Sequence, residues 1–431
     1  MVEFGLRGPA PRSGALLLLS GALTACLVLC LHLTRSSGGA QGERVGPRRL
    51  GPVDDLADAR ALLAAWPEDK PRACILILAR NSDLDGVLRS VKQLERRFNA
   101  QPSAQYPYCY LNDEPFSNEF RAVAAAATVA PAFFGLVPAA HWSYPPHINT
   151  TLAAELRSAS RRRMPYGGSE SYRFMCRYFS GFFFDHPLLE GFEWYWRVEP
   201  DVHFMCDLPG ITHDPFRHMQ ANNQSLAWTI VMEEVPSTIP SLWPTMQRWL
   251  AANPHHVVAG NMLPAVIEDS DAAQIGDEAA AAEEGGDAAG YDSRHALPLL
   301  RLQQQLYSSS RFKFTGCHFW SNFEVGRLAF FRSAGYRSFF QHLDSDTGFF
   351  YERWGDAPVH TLAAAALLTP EQVYFARDIG YKHGSWSYCP SQPADRPRCD
   401  CHPAWNAVPL AQPRCQLDFR TRLHALQRAE E

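Results

Sequence analysis

Residues 194–202, WYWRVEPDV, constrain the fold more than any other stretch of the 431-residue chain. Five residues, all but Arg197 aromatic or β-branched, suit a strand covered on both faces. Pro200 has no N–H for a ladder, so the strand must stop or bulge there. Glu199 and Asp201 are thereby delivered to the carboxyl edge of a sheet, where open α/β folds place their ligands. Two hard oxygen ligands on one short loop suit Mg²⁺ or Mn²⁺ that also grips a diphosphate. The plain alternative is that the two acids only shape a turn.

The flanking chain agrees with a nucleotide-binding α/β sheet. Residues 74–78 (CILIL) form an apolar run typical of a buried strand. Arg80-Asn81-Ser82-Asp83 then offers caps for a helix carrying Leu84, Val87, Leu88, Val91 and Leu94. A second strand is expected over 106–111, a core helix over 174–184, a further strand over 226–233 and a helix over 240–253. Strand, helix, strand with polar loops is the start of such a sheet.

Composition and punctuation divide the rest. Residues 14–34 are uncharged and mostly apolar, long enough to cross a bilayer; a cleaved signal peptide is the alternative. An anchored reading gives a cytoplasmic tail over 1–13, a Gly/Ser/Pro-rich stem over 35–70 with one short helix at 56–65, and a catalytic domain over 71–431. Two sequons, at Asn149 and Asn223, and nine cysteines beyond the apolar run fit an oxidising lumen. Cys389, Cys399, Cys401 and Cys415 read as disulfide staples, with a zinc knuckle using His402 as the alternative. Nine is odd, so at least one thiol stays unpaired or bonds another chain. The formal charge of -5 depends on eight acids between 268 and 287, without which the remainder carries +3. That tract, 268–290, is too poor in hydrophobic residues to fold alone and reads as a solvated insertion. A nearly neutral body suits a small anionic substrate better than nucleic acid.

Several further residues could carry chemistry. Residues 161–173 are basic, glycine-containing and hydroxyl-rich, and Tyr172 and Arg173 could face a diphosphate and sugar; a solvated helix face is the commoner outcome. Run 317–326 reads as strand and would bury Glu324 among aromatics, where a carboxylate is costly unless paired. Glu324 is therefore a candidate nucleophile or base, or else a partner for Arg332 or Arg353. Asp356 either caps the alanine-rich helix through Leu368 or binds an acceptor hydroxyl. A strand ending at a glycine turn would project His383.

Taken together, YRxMCR at 172–177, YWRVEPDV at 195–202, CHFWSNFE at 317–324, YERWGDAPVH at 351–360 and DIGY at 378–381 resemble the fungal Golgi α-1,2-mannosyltransferases, glycosyltransferase family 15. The resemblance runs from about residue 71 to 415, apart from the acidic insertion. It implies a GT-A, Rossmann-like α/β fold with a central mixed sheet behind an N-terminal transmembrane helix, and a type II Golgi membrane protein. It further implies GDP-mannose as donor, a mannose-terminated glycan as acceptor, Mn²⁺ as cofactor and retention of configuration. Residue by residue, Glu199 and His383 take the metal, with His360 in reserve. Glu324 matches a proposed nucleophile and Tyr172 a tyrosine against the reacting sugar. Arg80, Tyr172, Arg173 and Asp201 are the candidates for contact with the nucleotide sugar. Retention then proceeds through a glycosyl-enzyme on Glu324 or by front-face attack. The rival classes are a membrane-tethered lectin on the same fold and a transferase using another nucleotide sugar.

Overall fold

The computed structural model describes residues 55–269, 311–406 and 413–429. The apolar run at 14–34 and the acidic tract from residue 270 onward lie outside these. Among the described residues no helix is long and apolar enough to cross a membrane.

Fourteen strands are described: β1 (Ala73–Leu78), β2 (Tyr108–Asn112), β3 (Ala132–Leu136), β4 (Trp194–Val198), β5 (Val202–Phe204), β6 (Leu226–Trp228), β7 (Val231–Glu233), β8 (Ile267–Asp269), β9 (Phe312–Phe314), β10 (Cys317–Phe319), β11 (Phe323–Arg327), β12 (Val373–Phe375), β13 (Tyr381–His383) and β14 (Trp386–Tyr388). Seven of them form a central sheet in the order β12-β6-β11-β4-β1-β2-β3. β1 to β4 are mutually parallel, and β11 runs antiparallel between β4 and β6, which makes the sheet mixed. The expected central strand is β4, and its side chains alternate between two hydrophobic layers. Trp194 and Trp196 pack on one face with Ile75 and Phe98, while Tyr195 packs on the other with Phe183 and Phe331. Arg197 follows Tyr195 onto the second face, with its guanidinium 3.7 Å from the ring centroid of Phe179 in the helix Glu170–Gly181.

Three expectations need correction. Run 226–233 is two strands in different sheets: β6 stays in the central sheet while β7 leaves to pair with β10. Run 317–326 likewise breaks at Trp320, whose N–H donates to Ile230 O, and continues as β11. An apolar run shows burial, not a change of partner, so neither break is visible in composition. The helix Leu56–Ala64 belongs to the folded body, with Ala59 and Leu63 buried. Asp55 accepts from Arg121 and from the Phe134 N–H, so order begins well before residue 71.

The C-terminal cysteines are disulfide-bonded: Cys389–Cys401 closes within their own stretch, while Cys206–Cys399 and Cys317–Cys415 reach beyond it. Cys74, Cys109 and Cys176 are buried free thiols. Among the described residues the one metal-sized cluster of three Cys, His or carboxylate groups is Cys206, Cys399 and Cys401. All three of its sulfurs are bridged, which removes the zinc knuckle.

Candidate functional site

A cavity of about 820 Å³ opens at the carboxyl edge of the sheet. Its floor is laid by strand ends, with Leu78 from β1, Asn112 from β2, and Glu199 and Pro200 just past β4. The start of helix Glu170–Gly181 contributes Ser171 and Tyr172, and the start of helix Asp356–Leu367 contributes Asp356. β13 pairs antiparallel with β5 so that His383 lies opposite Val202, three residues beyond Glu199. Gly384, in the left-handed region at φ 57°, then reverses the chain.

Five candidates meet on this cavity: Arg80, Tyr172, Glu199, Asp356 and His383. Arg80 donates to Ser171 Oγ at 2.6 Å. Glu199 Oε1 accepts from Arg197 Nε at 2.6 Å, and its other oxygen has no hydrogen bond among the described residues. His383 is stacked on Trp320 and held through Nδ1 by the Asn322 amide at 2.7 Å. As placed, the amide nitrogen donates to Nδ1; turning the Asn322 amide so that its oxygen accepts from Nδ1–H would leave Nε2 as the nitrogen open to a cation. Burial lowers the His383 pKa, against the pull of Glu199 and Asp201, so the ring is neutral, as a metal ligand must be.

Arg197 organises the floor. Besides Glu199 it holds Asp356 Oδ2 at 2.5 Å, and Ser321 donates to the same oxygen at 2.7 Å. Burial alone would raise the Asp356 pKa, but Arg197 overrides it and the carboxyl is held below its ordinary value. Asp356 opens its helix without capping it by side chain, and it lines the cavity.

Four other candidates point elsewhere. Asp201 sits at φ 62° with its N–H on Gly86 O, and its carboxylate turns out to Arg89 at 2.6 Å, away from the cavity. Arg173 is buried and donates to the backbone oxygens of Gly167, Ser169 and Glu352, so it staples the glycine loop instead of meeting a ligand. Glu324 is only 2% exposed and does not line the cavity. Paired with Arg197 across β11 and β4, it lies beneath the floor. One of its oxygens accepts from Tyr195 Oη and the other meets His360 Nδ1 at 2.8 Å. Its partner is thus His360, neither Arg332 nor Arg353. His360, fully buried and also bonded to Phe179 O, is no metal ligand. Burial opposes its charged form, yet Glu324 raises its pKa above the usual value. Glu324→Ala strands this imidazole and is expected to cost about 3–5 kcal/mol of stability, the scale of a broken buried pair. A denaturant titration beside the milder Glu324→Gln checks it.

Residues not anticipated also line the cavity: Glu234, Trp320, Trp386 and Arg353. Arg353 is 4% exposed and donates to Glu234 Oε1 at 2.9 Å and to Tyr172 Oη at 3.3 Å. Its position within the RWGD run was the available signal.

Solved structures with this fold identify the class. Core-mannan synthase A (CmsA/Ktr4) of Aspergillus fumigatus, in a Mn/GDP form, is 34% identical, with a TM-score of 0.67 over 83% of this chain and 85% of that one. The mannosyltransferase Ktr4p of Saccharomyces cerevisiae, in complex with GDP, is 28% identical, with a TM-score of 0.66 over 86% and 90%. The chain has a mixed α/β glycosyltransferase fold. Residues 52–421 match the glycolipid 2-alpha-mannosyltransferase family, and the chain belongs to it. A glycolipid 2-alpha-mannosyltransferase of S. cerevisiae is 39% identical over 334 residues, 77% of this chain and 65% of that protein. Glycolipid 2-alpha-mannosyltransferase 1 of Candida albicans is 39% identical over 355 residues, 82% and 71%. The match thus spans about two thirds of these relatives' length.

Proposed function

We propose that the protein is a retaining α-1,2-mannosyltransferase that moves mannose from GDP-mannose to the 2-hydroxyl of a mannose-terminated glycan on protein or lipid. The observation that carries this is the meeting of Glu199, His383 and Tyr172 on one cavity at the sheet's carboxyl edge. Glu199 and His383 would hold Mn²⁺; one carboxylate and one neutral imidazole suit that ion. The bound ion supplies positive charge against the departing diphosphate.

The chain's own groups do the rest. Arg80 adds positive charge on the cavity wall, whereas the charge of Arg353 is paired with Glu234. Tyr172, whose burial holds its pKa well above the ordinary value, stays a phenol and a hydrogen-bond donor. Front-face transfer is favoured: the anomeric C–O bond to diphosphate breaks, the acceptor oxygen bonds the same face, and its proton passes to a departing phosphate oxygen. Attack by Glu324 would require it to leave Tyr195 and His360 and cross the floor. Here Glu324 supports Arg197 from below. The GT-A designation, a type II anchor at 14–34 and a Golgi location with the catalytic body luminal belong to the same proposal; three disulfides favour an oxidising compartment.

A donor and acceptor screen of the fragment starting at residue 51, with linkage analysis of product, tests it. Mannose transferred 1,2 from GDP-mannose is expected. Transfer from UDP-sugars instead, or glycan binding without GDP release, would replace it with one of the rivals.

A further inference from the structure

Tyr172 has an unusual setting for a cavity tyrosine. Tyr166 is 65% exposed, sits at φ 55°, and stacks on it with ring centroids 4.4 Å apart and planes within 7°. Arg353 lies with its guanidinium carbon 5.4 Å from the same ring and its Nη1 on the phenol oxygen. Arg353 is itself fixed by Glu234, which is 10% exposed, and by its own N–H on Thr238 O. A guanidinium only donates. The phenol oxygen therefore spends a lone pair on Arg353, its proton cannot point back, and no other described residue accepts that proton. The hydroxyl hydrogen is left to the cavity.

We propose that Arg353, anchored by Glu234, is a positioning residue that fixes Tyr172 as a hydrogen-bond donor toward the transferring group. This rests on the proposed mannosyl transfer. Arg353 has a second consequence: it withdraws electron density from the phenol oxygen and so strengthens the O–H as a donor.

The test is a double-mutant cycle in the full chain with GDP-mannose and methyl α-mannoside. Arg353→Met is expected to lower kcat about 10²-fold, the scale of one lost positioned donor, while KM for GDP-mannose changes less than about threefold. Arg353→Lys, which can still donate to the phenol, recovers part of kcat, and Glu234→Gln gives a smaller loss in the same parameter. In a Tyr172→Phe background Arg353→Met costs nothing further, because the group it positions is gone. Equal losses in both backgrounds, or a loss confined to KM or Tm, overturn the proposal. A wild-type protein that transfers no mannose overturns the functional reading instead. In that case the ¹³Cζ resonance of Tyr172, assigned through Tyr172→Phe, decides: it shifts in Arg353→Met if the contact sets the phenol's state and stays put if not.

Discussion

Replacing Tyr172 with phenylalanine is expected to lower kcat for mannosyl transfer by about 10²–10³-fold, the range seen when one preorganised donor is removed from a reacting centre. Binding of GDP should change little, because the ring stays stacked on Tyr166 and only an oxygen is lost. The size of the effect follows from the setting. The phenol is half-buried, its proton is retained, and Arg353 holds its oxygen, so a cavity ligand meets a donor that needs no reorganisation. Steady-state kinetics beside GDP calorimetry separate the two parameters. A loss carried wholly by weaker GDP binding would move Tyr172 from the reaction to donor recognition.

The second large effect is on cation-dependent binding. Glu199→Ala and His383→Ala are each expected to weaken GDP affinity in Mn²⁺ by at least about 100-fold, the upper end of what outer-shell partners of a metal cost. Glu199 offers a carboxylate already aimed by Arg197, and His383 a ring already aimed by Asn322 and Trp320. Asp201→Ala is the internal control, since its side chain pairs with Arg89 outside the cavity. Calorimetry with and without Mn²⁺ reads all three. Unchanged affinity in Glu199→Ala or His383→Ala removes that residue from the cation's shell.

The parts of the site that were legible in the sequence are those a strand end must present. The aromatic strand, its interruption at Pro200 and the carboxylate before it placed Glu199; His383, a lone histidine at a strand end, was singled out only through the family resemblance. What escaped depends on which way a side chain leaves the backbone. Asp201 follows Glu199 by two residues and looks equivalent to it. The left-handed conformation at 201 sends its carboxylate to the helix Leu84–Leu94, and nothing in the residue types announces that. Glu324 was correctly expected to be buried and paired, but pairing is compatible with lying under a cavity as well as in it. Arg173 illustrates the same ambiguity, since an arginine beside glycines can bind phosphate or bind the loop's own carbonyls. Arg353 was mentioned only as a partner for Glu324, and its true contacts, Tyr172 and Glu234, lie 181 and 119 residues away in sequence.

The bridges Cys206–Cys399 and Cys389–Cys401 bear on this geometry from a distance. They rivet the hairpin that carries His383 to the strand beside it, using a stretch beyond residue 388 that touches none of the cavity. The tail is accordingly a brace for a ligand it never meets. Trimming the chain short of residue 401 would leave the histidine in place along the backbone but without its scaffold.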